Sequence, residues 1–458
     1  MKLSLGQIAD YIHAEGDFNT SAEAFGFSID SRTLNAGDLF FAVKGDRVDG
    51  HDYVEAALAN GAAGCVVSNH WLAPDEMDPC KLLWVPESED CVLKAMQTLA
   101  QAVRRRWSKR VIGITGSAGK TTTKEAVATV LSAKFNVLKS AGNLNNHFGV
   151  PLQLLRLEPE HEIAVIEMGM NHAGEIATLC RIAEPNWGVV SNVGLAHVEF
   201  FDDGIEGIAA AKYELVQALR ADGLAILNAD DERVARFAAN LGDRAILYGT
   251  APTAQIRAEG IVETGTDGLR FTAISPGETA EVTLHMLGRH NVSNALAAIA
   301  VGVAAGMRLA ECAAAVATLR PPDKRGQIIH HRSATLIDDC YNSNPAALDA
   351  MVDALLSIPA KRHIVMAGEM LELGVSSEAF HRAAGARMAA NNIDVIVGVR
   401  GHAAALVTGA GPNAIYLETP AEAGAWLAAN LREGDAVLLK ASRGVRLEAA
   451  LAILLTQP

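Results

Sequence analysis

Lys120 and Thr121 directly follow Gly116-Ser117-Ala118-Gly119, and the six residues stand between a β-branched apolar run, VIGIT, and a helix-forming run, TTKEAV. Glycines there let the backbone approach an anion closely, while successive N–H groups and the positive end of a new helix face it. Lys120 adds a full charge, and the Thr121 hydroxyl can ligate magnesium, with Thr122 continuing the same turn. Phosphate binding is the chemistry that this order of strand, glycine turn, Lys-Thr and helix suits. The match to GxxxxGK[ST] is incomplete, because Ile114 occupies the first glycine position.

Other residues with chemical potential sit at the ends of apolar runs. Glu167 closes IAVIE, where its carboxylate emerges at the carboxyl edge of a sheet; it is a magnesium-binding acid there or a plain surface Glu. His197 in SNVGLAHVEFF follows another strand, and a lone histidine is either structural or a ligand. Lys212 lies among alanines in GIAAAKYELVQAL, where a surface lysine is the ordinary reading; facing phosphates, it would be a second cation or a modified one. Asn143, Asn145 and Asn146 form one polar turn and Asn171-His172 another, patterns that turn chemistry and ligand binding explain equally. Lys440, Ser442 and Arg443 follow an apolar strand and can meet a phosphate or carboxylate.

These residues need a scaffold of parallel strands. At 458 residues the chain exceeds a single core and suggests three domains. Residues 1–86 read as a small α/β domain, with DLFFAVKG and AGCVVS as strands around the helix-like HDYVEAALANG. Residues 87–320 open with the helical ESEDCVLKAMQTLAQAVRRRW and then alternate strands and helices, which predicts a mostly parallel sheet. Within them GLRFTAIS and AEVTLHML, joined by SPGE, read as an appended hairpin. Arg320-Pro321-Pro322-Asp323 interrupts regular structure as a linker would, and residues 321–458 read as a second open α/β domain.

Composition narrows the function classes. Half of the residues are hydrophobic and 20% are charged, so a wholly folded chain is expected. A formal charge of -14 argues against nonspecific nucleic-acid binding, so an anionic substrate must be held by local cations, helix ends or metal. The six cysteines are scattered without CxxC or zinc-like spacing, which suits reduced thiols. No basic-then-apolar leader and no run of 18 apolar residues is seen, so a soluble cytoplasmic protein without membrane insertion is expected.

Together the segments TGSAGKTTTKE, AGNLNNHFGVP, VIEMGMNHAGEI, AHVEFF, AAKYELV, GRHNVSNALAA, DDCYNSNP and KASRG resemble the Mur ligases over nearly the whole chain. Within that family AGNLNNxxGVP and NHxGEI are most similar to the branch that adds D-alanyl-D-alanine to UDP-N-acetylmuramoyl-tripeptide. The resemblance implies a uridine-nucleotide N-terminal domain, a central ATP-binding domain, a Rossmann-like C-terminal domain and a monomer. It implies that ATP phosphorylates a carboxylate and that an amine then displaces phosphate. By motif, Gly116 to Thr122 would hold the phosphates, Thr121 and Glu167 one Mg2+, and His197 a second, with Lys212 carbamylated as a further ligand. Asn291 and Asn294 would lie near adenine and ribose, Arg325 and Asp339 where the C-terminal domain closes on nucleotide. Ser31, Arg32 and Lys44 would lie near the uridine diphosphate, and Asn143, Asn145 and Asn146 near the sugar-peptide. Closure would keep water from the acyl phosphate, so a hinge is expected near Arg320 to Asp323. Three departures from the family pattern stand out: Cys340 where serine is expected in DDSYN, Ala441 in place of glycine in KGSR, and Ser117-Ala118 in the loop.

Overall fold

The computed structural model describes residues 2–45, 47–86, 88 and 90–456. Three large sheets divide it, beside a two-stranded antiparallel pair, Leu3–Ser4 with Glu23–Ala24. The first has four parallel strands in chain order, Gly26–Ser28, Asp38–Phe41, Gly64–Ser68 and Leu82–Val85. The predicted helix after the second of these starts as a 3-10 turn, Gly50–Tyr53, and becomes α-helical only over Val54–Ala59.

The central sheet has nine strands. From one edge they run Glu278–Leu284, Leu269–Ser275, Ile256–Glu263, Ala245–Gly249, Leu224–Asn228, Trp187–Val190, Arg110–Thr115, Ile163–Glu167 and Val137–Lys139. Those from Ile256–Glu263 to Val137–Lys139 are parallel, so their inner members are covered on both faces and read as unbroken apolar runs. Val111, Ile112 and Ile114 are fully buried, and burial of each such side chain contributes about 1.5–3 kcal/mol. The expected hairpin is present, with Ser275 opposite Glu278 and a turn at Pro276-Gly277. It belongs to a three-strand antiparallel edge, because Leu269–Ser275 also pairs with Ile256–Glu263. Ile256–Glu263 alternates only as far as Ala258; a register shift between Glu259 and Val262 then leaves Glu259, Gly260 and Val262 exposed.

Helix Cys91–Trp107 joins the first two sheets, packing on helix Leu5–Ile12 and on helices of the central unit. Its Arg104 donates to the carbonyls of Ala183 and Glu184 at 2.9 and 3.0 Å, satisfying the end of helix Glu175–Ala183. Residues 319–322 carry no regular structure and lead into the six-stranded third sheet. Its order is Gln327–His331, Ala334–Asp339, Asp435–Lys440, Arg362–Gly368, Val395–Val399 and Ile415–Leu417, parallel except for the first strand. No helix among the described residues is long and apolar enough to cross a membrane.

Candidate active site

The chain leaves strand Arg110–Thr115 at Gly116 and enters helix Lys120–Ser132 at Gly119. Gly119 has φ +77°, and a Cβ there would lie 2.7 Å from Asn294 Oδ1, so torsion and space both exclude a side chain. The end of the neighbouring parallel strand clamps the loop. Asn192 accepts from the Ser117 amide through its carbonyl at 3.0 Å and from the Ala118 amide through Oδ1 at 2.8 Å, and its Nδ2 donates to the Ala118 carbonyl at 2.9 Å. The Ser117 hydroxyl in turn donates to Gly194 O at 3.0 Å. Those two amides are therefore engaged by the protein itself. The amides of Gly119, Lys120 and Thr121 have no acceptor among the described residues and remain for an anion at the helix N-terminus, where Thr122 is buried. Lys120 Nζ donates to Gly116 O at 2.8 Å. Burial lowers its pKa, with Glu167 opposing and Arg325 adding to the shift.

Glu167 lies at the carboxyl end of its strand, paired in register with Ile114, and is 1% exposed. Its Oε1 accepts from Thr121 Oγ1 at 3.2 Å and from Asn145 Nδ2 at 2.8 Å. Its Oε2 is buried and has no hydrogen-bond partner among the described residues; the nearest cation, Lys124 Nζ, stands 3.8 Å away. A buried carboxylate oxygen without a donor, next to a threonine hydroxyl and a row of open amides, fits a divalent cation. No group of three or more His, Cys, Asp or Glu forms a cage among the described residues.

Lys212 is buried on helix Gly204–Gln217, and its ammonium has no hydrogen bond or ion pair among the described residues. Burial, and then the charge of Lys120, hold its pKa well below the usual lysine value. The surface reading of this lysine is thereby corrected. His197 adopts a left-handed backbone, φ 65°, and its Nδ1 lies 2.7 Å from Glu372 Oε2 of the third unit. This close approach of His197 holds the Glu372 carboxyl below its ordinary range. Among the described residues no hydrogen bond or ion pair joins His197 to Thr121, Glu167 or Lys212.

The third unit meets the loop directly. Arg325 Nη2 donates to Thr121 Oγ1 at 3.2 Å, and its guanidinium lies 3.9 Å from the Tyr341 ring centre. Asn294 accepts from Thr123 Oγ1 at 3.0 Å and donates to Asn291 at 2.8 Å, placing both asparagines behind the loop. Asp339 and Lys440 are register partners on adjacent strands, which explains their ion pair; Lys440 also donates to Asn342 O at 2.9 Å. Their charges act in opposite directions on His290, which is exposed at the start of helix His290–Ala304. Ser442 Oγ accepts from the Leu371 amide at 2.9 Å, and Arg443 pairs with Glu448 at 2.8 Å. Cys340 is fully buried with its thiol on Leu439 O at 3.4 Å, and Ala441 packs so that a Cβ on Gly368 would lie 2.5 Å from its own.

The remaining residues stand apart from this cluster. Ser31, Arg32 and Lys44 follow strands of the first sheet; Ser31 O accepts from Asn60 at 2.9 Å, Arg32 forks onto Asp30 at 2.7 and 2.9 Å, and Lys44 is bridged to Asp49. Asn143 is exposed, while Asn146 Oδ1 caps the amides of Phe148 and Gly149 at 3.2 and 2.9 Å. The Asn171 and His172 amides both donate to Glu175, at 2.7 and 3.3 Å. Sequence reasoning missed Asn192, Lys124 and Glu372. For Lys124 a signal existed, since it stands one helical turn beyond Lys120 on the same face.

Comparison with known proteins accords with this arrangement. Family models described as "Mur ligase family, catalytic domain", "Mur ligase middle domain" and "Mur ligase, glutamate ligase domain" match residues 25–90, 114–302 and 324–443. A UDP-N-acetylmuramoyl-tripeptide--D-alanyl-D-alanine ligase of Escherichia coli K12 is 37% identical, covering 90% of this chain and 89% of its own. The Bacillus subtilis 168 enzyme of the same name is 34% identical over 94% and 93%. Among solved structures, MurF from Acinetobacter baumannii superposes with a TM-score of 0.90 at 29% identity, covering 100% of this chain and 99% of that one. MurF from Thermotoga maritima in complex with ADP gives 0.82 at 29% identity, over 94% and 96%. With a phosphate loop, a strand-end acid and three units in this order, and relatives matching almost end to end, the chain belongs to the Mur ligase family.

Proposed function

We propose that this chain is the ATP-dependent ligase that joins D-alanyl-D-alanine to UDP-N-acetylmuramoyl-tripeptide in the cytoplasm, and that residues 1–86, 87–320 and 321–458 are its UDP-sugar, ATP and C-terminal domains. The observation that carries the reading is the meeting at Thr121, whose hydroxyl donates to Glu167 and accepts from Arg325, so that loop, strand-end acid and third unit converge on one atom.

In this mechanism the terminal carboxylate of the tripeptide attacks the γ-phosphorus of ATP, the bond to the β-phosphate oxygen breaks, and ADP leaves. The amine of the dipeptide then attacks the acyl phosphate, loses a proton, and expels phosphate as the amide forms. Bringing a carboxylate to a polyanion is the electrostatic problem. Lys120 and the open amides of Gly119 to Thr121 offset the phosphate charge, and Arg325 adds a cation from the third unit as it closes. Thr121 and Glu167 would hold a Mg2+, which when bound screens the phosphates and the leaving oxygen. His197 and Lys212 are proposed for a second ion. A neutral Lys212 amine can add CO2, releasing a proton, and the resulting carbamate replaces a conflict with Lys120 by an attraction. Asn291, Asn294 and Asp339 are assigned to the nucleotide side; Ser31, Arg32, Lys44, Asn143, Asn145, Asn146, Asn171 and His172 to the UDP-tripeptide; Lys440, Ser442 and Arg443 to substrate carboxylate or phosphate.

The test is phosphate release from ATP with each candidate amine offered in turn. Release that requires both UDP-N-acetylmuramoyl-tripeptide and D-alanyl-D-alanine is expected. Steady hydrolysis without an amine, or coupling to a single amino acid instead of the dipeptide, overturns the reading.

A further inference from the structure

Beside Glu167 lies a cavity of about 530 Å³ that the assignments above touch only through Asn146; Gly169, Ala173, Ala177, Glu175 and Arg181 are among its other lining residues. It opens close to the reacting centre. Gly169 is two residues beyond Glu167, its amide donates to Asn145 O at 2.8 Å, and Asn145 is the residue that holds Glu167 Oε1. The floor is glycine by necessity, since a Cβ on Gly169 would lie 2.7 Å from Asn145 Oδ1.

The two charges in the cavity are not equivalent. The Glu175 carboxylate is already committed to the Asn171 and His172 amides, and it lies 3.6 Å from the His172 ring. The Arg181 guanidinium makes one hydrogen bond, Nη2 to Thr178 Oγ1 at 2.7 Å, and faces no carboxylate among the described residues. The cavity therefore presents alanine methyls along its wall and, at its exposed rim, one guanidinium with donors to spare.

Under the proposed reaction the carboxylate to be phosphorylated belongs to the third residue of the tripeptide. Its α-carbon is one bond from the reacting carbon, so its side chain must enter space adjoining Glu167. We propose that this cavity receives that side chain and that Arg181 is a specificity-determining residue, pairing with a carboxylate at its end. The preferred third residue is then 2,6-diaminopimelate, a methylene stem ending in an ammonium and a carboxylate, over lysine, whose stem ends in an ammonium alone. Arg181 gives the first a charge-assisted, two-pronged partner and the second a like charge. The inference rests on the ligase reading above.

The test compares kcat/KM for the diaminopimelyl and lysyl forms of UDP-N-acetylmuramoyl-tripeptide, with calorimetric binding of each in the absence of ATP. The wild-type protein is expected to favour the diaminopimelyl form by about 2–5-fold, the worth of an ion pair to an exposed guanidinium. Arg181→Ala should bring the ratio towards one, Arg181→Lys should keep part of it, and Arg181→Glu should reverse it. A wild-type preference for lysine, or an Arg181→Ala variant that changes both substrates by the same factor, overturns the proposal. If neither tripeptide is ligated, the ligase reading fails, while unequal calorimetric binding that Arg181→Ala abolishes still supports the pocket assignment.

Discussion

Replacement of Gly119 by alanine tests how tightly the phosphate loop is locked against the helix behind it. At φ +77° an alanine pays about 1–2 kcal/mol for the left-handed conformation. Its Cβ would also stand 2.7 Å from Asn294 Oδ1, the atom that accepts from Thr123 Oγ1. Moving Asn294 aside breaks that buried hydrogen bond, a loss of about 1–3 kcal/mol when a partner is left unsatisfied. The total of about 2–5 kcal/mol lowers the melting temperature of the central unit by roughly 5–15 °C, at the few degrees per kcal/mol typical of this size. Calorimetry of Gly119→Ala, Asn294→Ala and the double variant separates the two terms. Asn294→Ala removes the clash but not the torsional cost, so a coupling of about 1–3 kcal/mol is expected between the sites. If Gly119→Ala melts within a degree of the parent, or the double variant shows no coupling, the steric account of the loop is wrong.

Three further outcomes are expected. Lys212→Ala should abolish ligation, and bicarbonate or a short carboxylate should restore part of it; rescue by a neutral amine of similar size would instead argue for a cationic role. Glu372→Gln removes the charge that faces His197 across the two units, so the distance between labels on Asp243 and Glu433 should broaden in solution and turnover should fall several-fold, whereas an unchanged distribution would mean that the contact does not hold the units together. Cys340→Ser should alter stability by no more than about 1 kcal/mol and leave kcat intact, since a hydroxyl can keep the thiol's contacts with Leu439 O and the Asp338 carboxyl inside the core; a collapse of kcat would give this position a chemical role.

What the sequence revealed follows from the range of the interactions involved. The phosphate loop and Glu167 were legible because their chemistry is local: glycines, a lysine and a threonine in consecutive order, and an acid at the end of an apolar run. Sheet class was legible because strands buried on both faces spell continuous β-branched stretches. Lys212 misled because a helix of alanine and glycine presents little contrast between faces, so a fully enclosed amine looks the same as a solvated one. Asn192 and Glu372 stayed hidden because their partners are distant in the chain, Asn192 clamping Ala118 and Glu372 meeting His197. The strand Ile256–Glu263 escaped notice because its outward edge is polar and carries a glycine at φ +62°, which reads as a loop.

The contact between Gly368 and Ala441 links the histories of two positions. Because Ala441 fills the space that a methyl on Gly368 would need, a lineage carrying alanine at the second site can no longer accept any side chain at the first. Glycine at 441 would lift that 2.5 Å clash and leave Val445 Cγ1, 3.1 Å from the new methyl, as the neighbour that must give way, so the order of the two changes sets how much strain the intermediate carries. Directed evolution of this chain should therefore recover substitutions at residue 368 only in backgrounds already reverted at residue 441.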